Sequence, residues 1–273
     1  MSEPIRLVVS DVDGTLVDPD KKLRAVTIAA VRRLEAAGVG FTIISARPRS
    51  GLGWLAEKLA IDAPIGAFNG GTVFRRDGSV DAQFRVPVEV VNDVLAMAAG
   101  SPVAIWVFAD DRWYASSAEG SHVEHERKAS SQEPVITQDF GALVDKIDKI
   151  TLVSDDAELL RGLHDRANAA HGQAATIAQS QTYYLDVTAL QANKGDGVAT
   201  LAKAFGVPLE QVAVLGDQAN DLPMLVRAGL PIVMENAPQA VREQISVHTR
   251  SNADDGVAHA IDTIIMPRIG VPS

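Results

Sequence analysis

Between Leu7 and Ile44 the chain runs strand, helix, strand, with joins that leave few choices of fold. The apolar run Leu7-Val8-Val9 suits a buried strand. Residues 25–37 place Ile28, Val31 and Leu34 along one helical face before Gly38, and a second apolar run over residues 39–44 follows at once. Two strands joined by a helix pair in parallel through a right-handed crossover. The core is therefore expected to be α/β, with a Rossmann-like, doubly wound, mostly parallel sheet.

Open parallel sheets keep their chemistry at the C-terminal ends of the strands. The first strand delivers two acids there, Asp11 and Asp13, followed by Gly14-Thr15-Leu16. Asp-x-Asp-Gly also occurs in ordinary turns, where Asp caps the backbone and Gly supplies a positive φ, so the rest of the chain has to decide its meaning. The second strand brings Ser45-Ala46-Arg47-Pro48 to the same edge.

A helix over residues 50–60, a strand over residues 64–68, the turn Asn69-Gly70-Gly71, a short strand and the Asp77-Gly78 hairpin turn come next. The rhythm then changes. Helices over residues 88–99 and 157–170 alternate with strands over residues 103–108, 113–116, 149–153, 173–178 and 182–187, and a polar stretch through Ser131 carries no periodic pattern. Trp106, Trp113, Tyr183 and Tyr184 in this region are expected to pack a core.

The first rhythm returns after Leu190. Asn193-Lys194-Gly195-Asp196 opens a helix that runs to Phe205, residues 212–215 form a strand ending in Gly216-Asp217, and Asn220-Asp221 opens a helix closing at Gly229. A strand over residues 230–234, the run Ile245-Ser246-Val247 and a helix over residues 255–265 finish the chain. The expected organisation is a catalytic core from residues 1–82 and 188–273, with an α+β cap inserted over residues 83–187; the 273 residues suit such a pair.

Four strand or helix ends then gather Asp11, Asp13, Ser45, Lys194, Asp217, Asn220 and Asp221. Carboxylates crowded together repel and stay ionised only beside a cation, for which oxygen ligands favour Mg²⁺. With a lysine, a hydroxyl and backbone N–H groups added, the set suits a phosphoryl group. Asp11 is the expected nucleophile, Asp13 the acid and base, and Gly14 lets the backbone approach the phosphate.

These motifs resemble those of the haloacid dehalogenase superfamily of phosphohydrolases, in particular its Cof-type branch with a C2-type α+β cap. Asp11-Val12-Asp13-Gly14-Thr15-Leu16 matches the first motif, Ser45 the second, Lys194 the third, and Gly216-Asp217-Gln218-Ala219-Asn220-Asp221 the fourth. Met234-Glu235-Asn236-Ala237 and Ser251-Asn252-Ala253-Asp254-Asp255-Gly256-Val257 resemble the branch's closing signatures. Two departures stand out: Ser45-Ala46-Arg47 replaces the more usual Thr-Gly-Arg, and Glu235 stands where the branch usually has glycine.

The resemblance implies that Asp11, the main-chain carbonyl of Asp13, and Asp217 hold Mg²⁺, with Asn220 and Asp221 supporting the site from close by. It implies phosphate contacts at Gly14, Ser45, Ala46, Lys194 and Asn220, and a cap that covers the leaving group and sets specificity. Arg47 and Asn69 are further candidates for substrate contact, Arg47 having the alternative of pairing with a carboxylate and Asn69 that of serving the turn. His122, Glu124 and His125 lack the spacing of a helical zinc site and are expected in a solvated helix or loop, and Lys21-Lys22 is expected to be wet surface.

The expected activity is Mg²⁺-dependent hydrolysis of a small phosphorylated metabolite, a sugar phosphate foremost, through an aspartyl-phosphate. The alternatives are a sugar phosphomutase of the phosphomannomutase kind, a specialised sugar-phosphate phosphatase such as one for mannosyl-phosphoglycerate, and a metabolite-binding regulator on the same fold. A net charge of -10 argues against nucleic-acid or anionic-membrane partners. The absence of cysteine excludes disulfides and thiolate zinc sites, and no apolar stretch has a membrane span's length. A cytoplasmic location is expected; oligomeric state is not legible.

Overall fold

The computed structural model describes residues 3–270. The chain divides into two compact units, one taking in the chain up to Ala46, Gly53–Asp81 and the chain from Asn193 onward, the other Arg47–Leu52 and Ala82–Ala192. The first half of the first unit supplies β1 (Leu7–Ser10), α1 (Ala25–Ala36), β2 (Gly40–Ile43), α2 (Gly53–Leu59), β3 (Ile65–Ala67) and β4 (Thr72–Phe74), and β5 (Val80–Gln83) leads out of it.

The second unit contains α3 (Val88–Ala98), β6 (Ala104–Ala109), β7 (Arg112–Ala115), α4 (Val123–Ser130), β8 (Val135–Ile136), β9 (Ile147–Val153), α5 (Ala157–His171), β10 (Ala175–Gln181) and β11 (Tyr184–Ala189). The chain then re-enters the first unit with α6 (Lys194–Phe205), β12 (Val212–Gly216), α7 (Leu222–Leu225), β13 (Leu230–Met234), α8 (Gln239–Arg242), β14 (His248–Thr249) and α9 (Gly256–Ala260).

The first unit's main sheet has the order β14-β13-β12-β1-β2 and is parallel throughout. Every residue of β1 and β12 is buried, which is why both read as continuous apolar runs with no alternation. The chain moves outward from β1 to β2, then returns to the other side of β1 with β12. That reversal makes a topological switch point between β1 and β12, with Leu7 opposite Val212 and Ser10 opposite Leu215. Their next residues lead into Asp11 and Asp217. β3 and β4 pair antiparallel, with β5 beyond β4.

The second unit is a six-stranded sheet in the order β10-β11-β9-β6-β7-β8, antiparallel except where β7 meets β8. Val90, Val94, Leu160 and Leu163 of α3 and α5 share one core with Val107, Ile150, Leu152 and Leu185 of the sheet. Trp106 meets Trp113 edge-on at 5.2 Å and Tyr184 at 5.3 Å, the packing expected of these aromatics.

Some elements differ from the sequence expectation. Residues 123–130 form α4, whose Glu124 and Glu126 occupy its first turn and whose Arg127 and Lys128 occupy its last, an order that favours the helix dipole. With few apolar residues the segment shows no periodic stripe. The helix expected from Asn220 to Gly229 shortens to α7, because Pro223 starts it late and the Gly229 N–H is drawn to the Leu209 carbonyl at 2.8 Å. The last helix changes after α9 into a π-helical turn, Ile261–Ile265. No helix among the described residues is long and apolar enough to cross a membrane.

Candidate active site

The Asp11 N–H continues the parallel ladder by donating to the Leu215 carbonyl at 2.9 Å, so the carboxylate leaves the sheet at the switch point and is buried. Asp217 follows β12 by the same logic and is buried beside it. Asp221 lies one short turn on. Oxygens of Asp11, Asp217 and Asp221 lie within 4.8 Å of one another, a cluster able to hold a metal ion. All three are hard oxygen donors, which suits a divalent cation of the Mg²⁺ or Ca²⁺ kind.

Lys194 enters this cluster from the first residue of α6, and its ammonium is buried between Asp11 and Asp221, donating to both. The helix begins so close because Asn193 caps it, its side chain accepting from the Asp196 N–H at 2.9 Å. Two glycines make the approach possible: a Cβ on Gly70 would lie 2.4 Å from the Gly197 Cα.

The two acids that follow β12 are held differently. Both oxygens of Asp221 are engaged, Oδ1 by Lys194 and Oδ2 by the Asp217 and Gln218 N–H groups at 2.7 and 2.9 Å. Among the described residues Asp217 accepts only from neutral donors: the Thr15 hydroxyl at 3.1 Å, the Gln218 amide at 2.9 Å and the Asn236 amide at 3.5 Å. Neutral donors fix the direction of a carboxylate without cancelling its charge. Asp217 is thus equipped to face a cation and Asp221 to brace Lys194.

Charge in this pocket is out of balance, since one ammonium faces three buried carboxylates. Burial, only partly offset by Lys194 and reinforced by Asp221, pushes the Asp11 carboxyl up to about 8. Asp217 is also raised, by burial first and by Asp221 next. Burial opposes the charge on Lys194, but Asp11 and Asp221 outweigh it and hold the ammonium above the usual lysine range. A bound cation would restore ionisation to the acids.

Asp13 is half-exposed, and its Oδ1 accepts from the Lys21 ammonium at 2.8 Å. Lys21 is therefore tied to the site rather than merely wet surface, and its φ of 62° is unusual for a lysine. Ser45 is buried just past β2, its N–H on the Gly66 carbonyl at 2.9 Å and its own carbonyl accepting from the Asn69 N–H at 2.7 Å. Asn69 has a φ of 58°, and its Oδ1 accepts from the Asn220 amide at 3.4 Å. Asn69, Ser45 and Asn220 thus stand together at the strand ends.

Ala46 directly follows Ser45. Arg47 is buried, and its guanidinium reaches the Gly51 carbonyl at 3.4 Å, within the second unit's Arg47–Leu52 segment. His122 stacks on Tyr183 at 3.7 Å and binds Asp155 at 2.7 Å, while Glu124 and His125 are exposed on α4. Sequence reasoning assigned no role to Thr15, Lys21, Gln218 or Asn236. Thr15, Gln218 and Asn236 lie inside the matched motifs, but nothing in their spacing says which way a neutral side chain turns.

Gly14 has a φ of +83°, and a Cβ added to it would lie 2.3 Å from Asp217 Oδ2. Gly14→Ala is expected to cost about 1–3 kcal/mol, read as a lower unfolding midpoint, and to displace the Asp217 carboxylate. Gly38→Ala is the control. Gly38 has a φ of +77° and nothing within 4 Å of the added Cβ, so it reports the backbone cost without the clash.

A family model described as haloacid dehalogenase-like hydrolase matches residues 8–261. The chain is 28% identical over 269 residues to an HMP-PP phosphatase of Citrobacter koseri, covering 96% of this chain and 98% of that one. Among solved structures, a haloacid dehalogenase-like hydrolase from Bacteroides thetaiotaomicron superposes with a TM-score of 0.87 at 25% identity, covering 95% of this chain and 99% of that one. A haloacid dehalogenase-like hydrolase from B. subtilis does so with a TM-score of 0.84 at 22% identity, covering 95% and 100%.

Proposed function

The chain belongs to the haloacid dehalogenase-like hydrolases, and from that membership we propose that it is a Mg²⁺-dependent phosphatase of small phosphorylated metabolites, sugar phosphates foremost. The observation that carries this reading is the buried set of Asp11, Asp217, Asp221 and Lys194 at the switch point. Its carboxylates exceed its cations. A phosphoryl-transfer site has that imbalance when a divalent ion completes it.

In this reading an Asp11 carboxylate oxygen attacks phosphorus, forming an aspartyl-phosphate as the bond to the leaving oxygen breaks. Asp13, as the carboxylic acid, gives its proton to that oxygen. The resulting Asp13 carboxylate takes a proton from a water whose oxygen attacks phosphorus, releasing inorganic phosphate and regenerating Asp11. Ser45, the backbone N–H groups of Gly14 and Ala46, Lys194 and Asn220 hold the phosphoryl oxygens. Asp11, the Asp13 carbonyl and Asp217 hold Mg²⁺, which when bound supplies positive charge that keeps Asp11 ionised and offsets charge on the phosphoryl group.

Phosphate release from a panel of sugar phosphates, other phosphomonoesters and HMP-PP, with and without EDTA, tests the reading. Turnover unaffected by EDTA, or no turnover of any phosphoester, overturns it.

A pH dependence of cation binding follows from the raised carboxyls. Asp11 binds its proton more tightly folded, at about 8, than unfolded, at 3.8, so folding takes up protons in that window. Without added cation this contribution lowers stability as pH rises from 3.8 towards 8. Protons also compete with the cation. The rise in unfolding temperature on adding Mg²⁺ is expected to be small at pH 5 and large at pH 8, where a hundredfold excess over Kd contributes about 3 kcal/mol. Equal shifts at both pH values would contradict this.

A further inference from the structure

Two asparagines from the closing motifs have no part in the chemistry above. Asn236 follows β13 and Asn252 follows β14, yet both reach back to the loop after β1. The Asn236 amide nitrogen donates to the Gly14 carbonyl at 2.9 Å and to Asp217 Oδ2 at 3.5 Å. Its oxygen accepts from the Asn252 N–H at 3.0 Å. The Asn252 amide nitrogen in turn donates to the Val17 carbonyl at 2.9 Å, and Val17 forms a parallel bridge with Asp13.

We infer that Asn236 is a positioning residue that sets the direction of the Asp217 carboxylate for a divalent cation while tying down the loop after β1 at the Gly14 carbonyl, with Asn252 holding Asn236 in place. An amide is suited to this because it carries two donors and an acceptor on one rigid plane. Both Asn236 donors face oxygens of the Asp11–Val17 loop and Asp217, and its acceptor faces the Asn252 N–H. That pattern also decides which way round the amide lies. Aspartate in the same place would lack the donors, and alanine would lack everything.

The residue is exposed, so its hydrogen bonds rather than burial keep it there. Gly14 and Asp217 already touch so closely that a Cβ would not fit between them. A bond from one amide to both keeps that close approach in one register. Groups that orient ligands in this way commonly govern metal affinity with little effect on the fold.

The inference rests on the Mg²⁺ site proposed above, and its test separates the two. The full chain and its Asn236→Ala and Asn252→Ala variants are titrated with MgCl₂ at pH 8, the Kd being taken from calorimetry and the unfolding temperature being measured without added cation. Asn236→Ala is expected to weaken the Mg²⁺ Kd about 10-fold or more. Asn252→Ala, which keeps the backbone N–H, is expected to weaken it less. Neither is expected to shift the unfolding temperature without cation by more than about 3 °C, the scale of one kcal/mol in a chain of this size.

An Asn236→Ala Kd within twofold of the unsubstituted chain overturns the inference, and so does a loss confined to the unfolding temperature. If Asn236→Ala does not fold, Asn252→Ala decides: no weakening there overturns the relay. An unsubstituted chain that does not bind Mg²⁺ overturns the metal site itself.

Discussion

Asp11→Asn is expected to lower phosphate release by at least about 10³-fold on every substrate that the unsubstituted chain turns over, and to leave the fold intact. Asparagine keeps the size of the side chain but removes the anionic oxygen that would bond to phosphorus. The same substitution removes the carboxyl that burial pushes up to about 8. Its fall in stability between pH 3.8 and 8 should therefore flatten, since one proton is no longer taken up on folding. Two readouts of one variant, rate and pH slope, thus report on the same atom. Substantial residual turnover would place the nucleophile elsewhere.

Lys194→Met is expected to have the largest effect on stability, about 3–5 kcal/mol at pH 8, or a fall of roughly 10 °C in the unfolding temperature. Methionine fills the same buried space, so packing is largely conserved. What disappears is the one ammonium between Asp11 and Asp221, leaving two buried carboxylates facing each other. The sign with pH is set by the acids. Lys194 is held above the usual lysine range, so its own charge does not change between pH 7 and 9. The deficit should widen as pH rises from 7 towards 9, because the unsubstituted chain, with its ammonium present, lets Asp11 ionise at about 8 while the variant holds it protonated. A constant deficit would show that packing, not charge, is at fault.

The core was legible because its signals are local and strong. β1, α1 and β2 follow from apolar runs and from Gly38, and the observed bounds, Leu7–Ser10, Ala25–Ala36 and Gly40–Ile43, lie within a residue or so of the pattern. Asp11, Lys194 and Asp217 were legible as strand-end or helix-start groups, because parallel pairing carries such positions to one edge. What stayed hidden depended on side-chain direction. Sequence order cannot say that Lys21 turns back onto Asp13, or that Asp221 spends both oxygens on Lys194 and two N–H groups. α4 was hidden for a different reason: it is held by charge order rather than by an apolar stripe.

The strand order has a consequence for how the chain is made. Lys194 lies 183 residues after Asp11, and Thr15 is joined to a partner 202 residues away. Contacts that distant are entropically costly to close and slow to form, and a segment that folds by itself in between shortens the effective loop. On the ribosome, β1 and β2 emerge before β12, the neighbour that completes the switch point. The second unit, with its own core, can compact while β1 waits. Asp11 is thus made well before Lys194, and the pocket that joins them closes only after the second unit, α6 and β12 have followed.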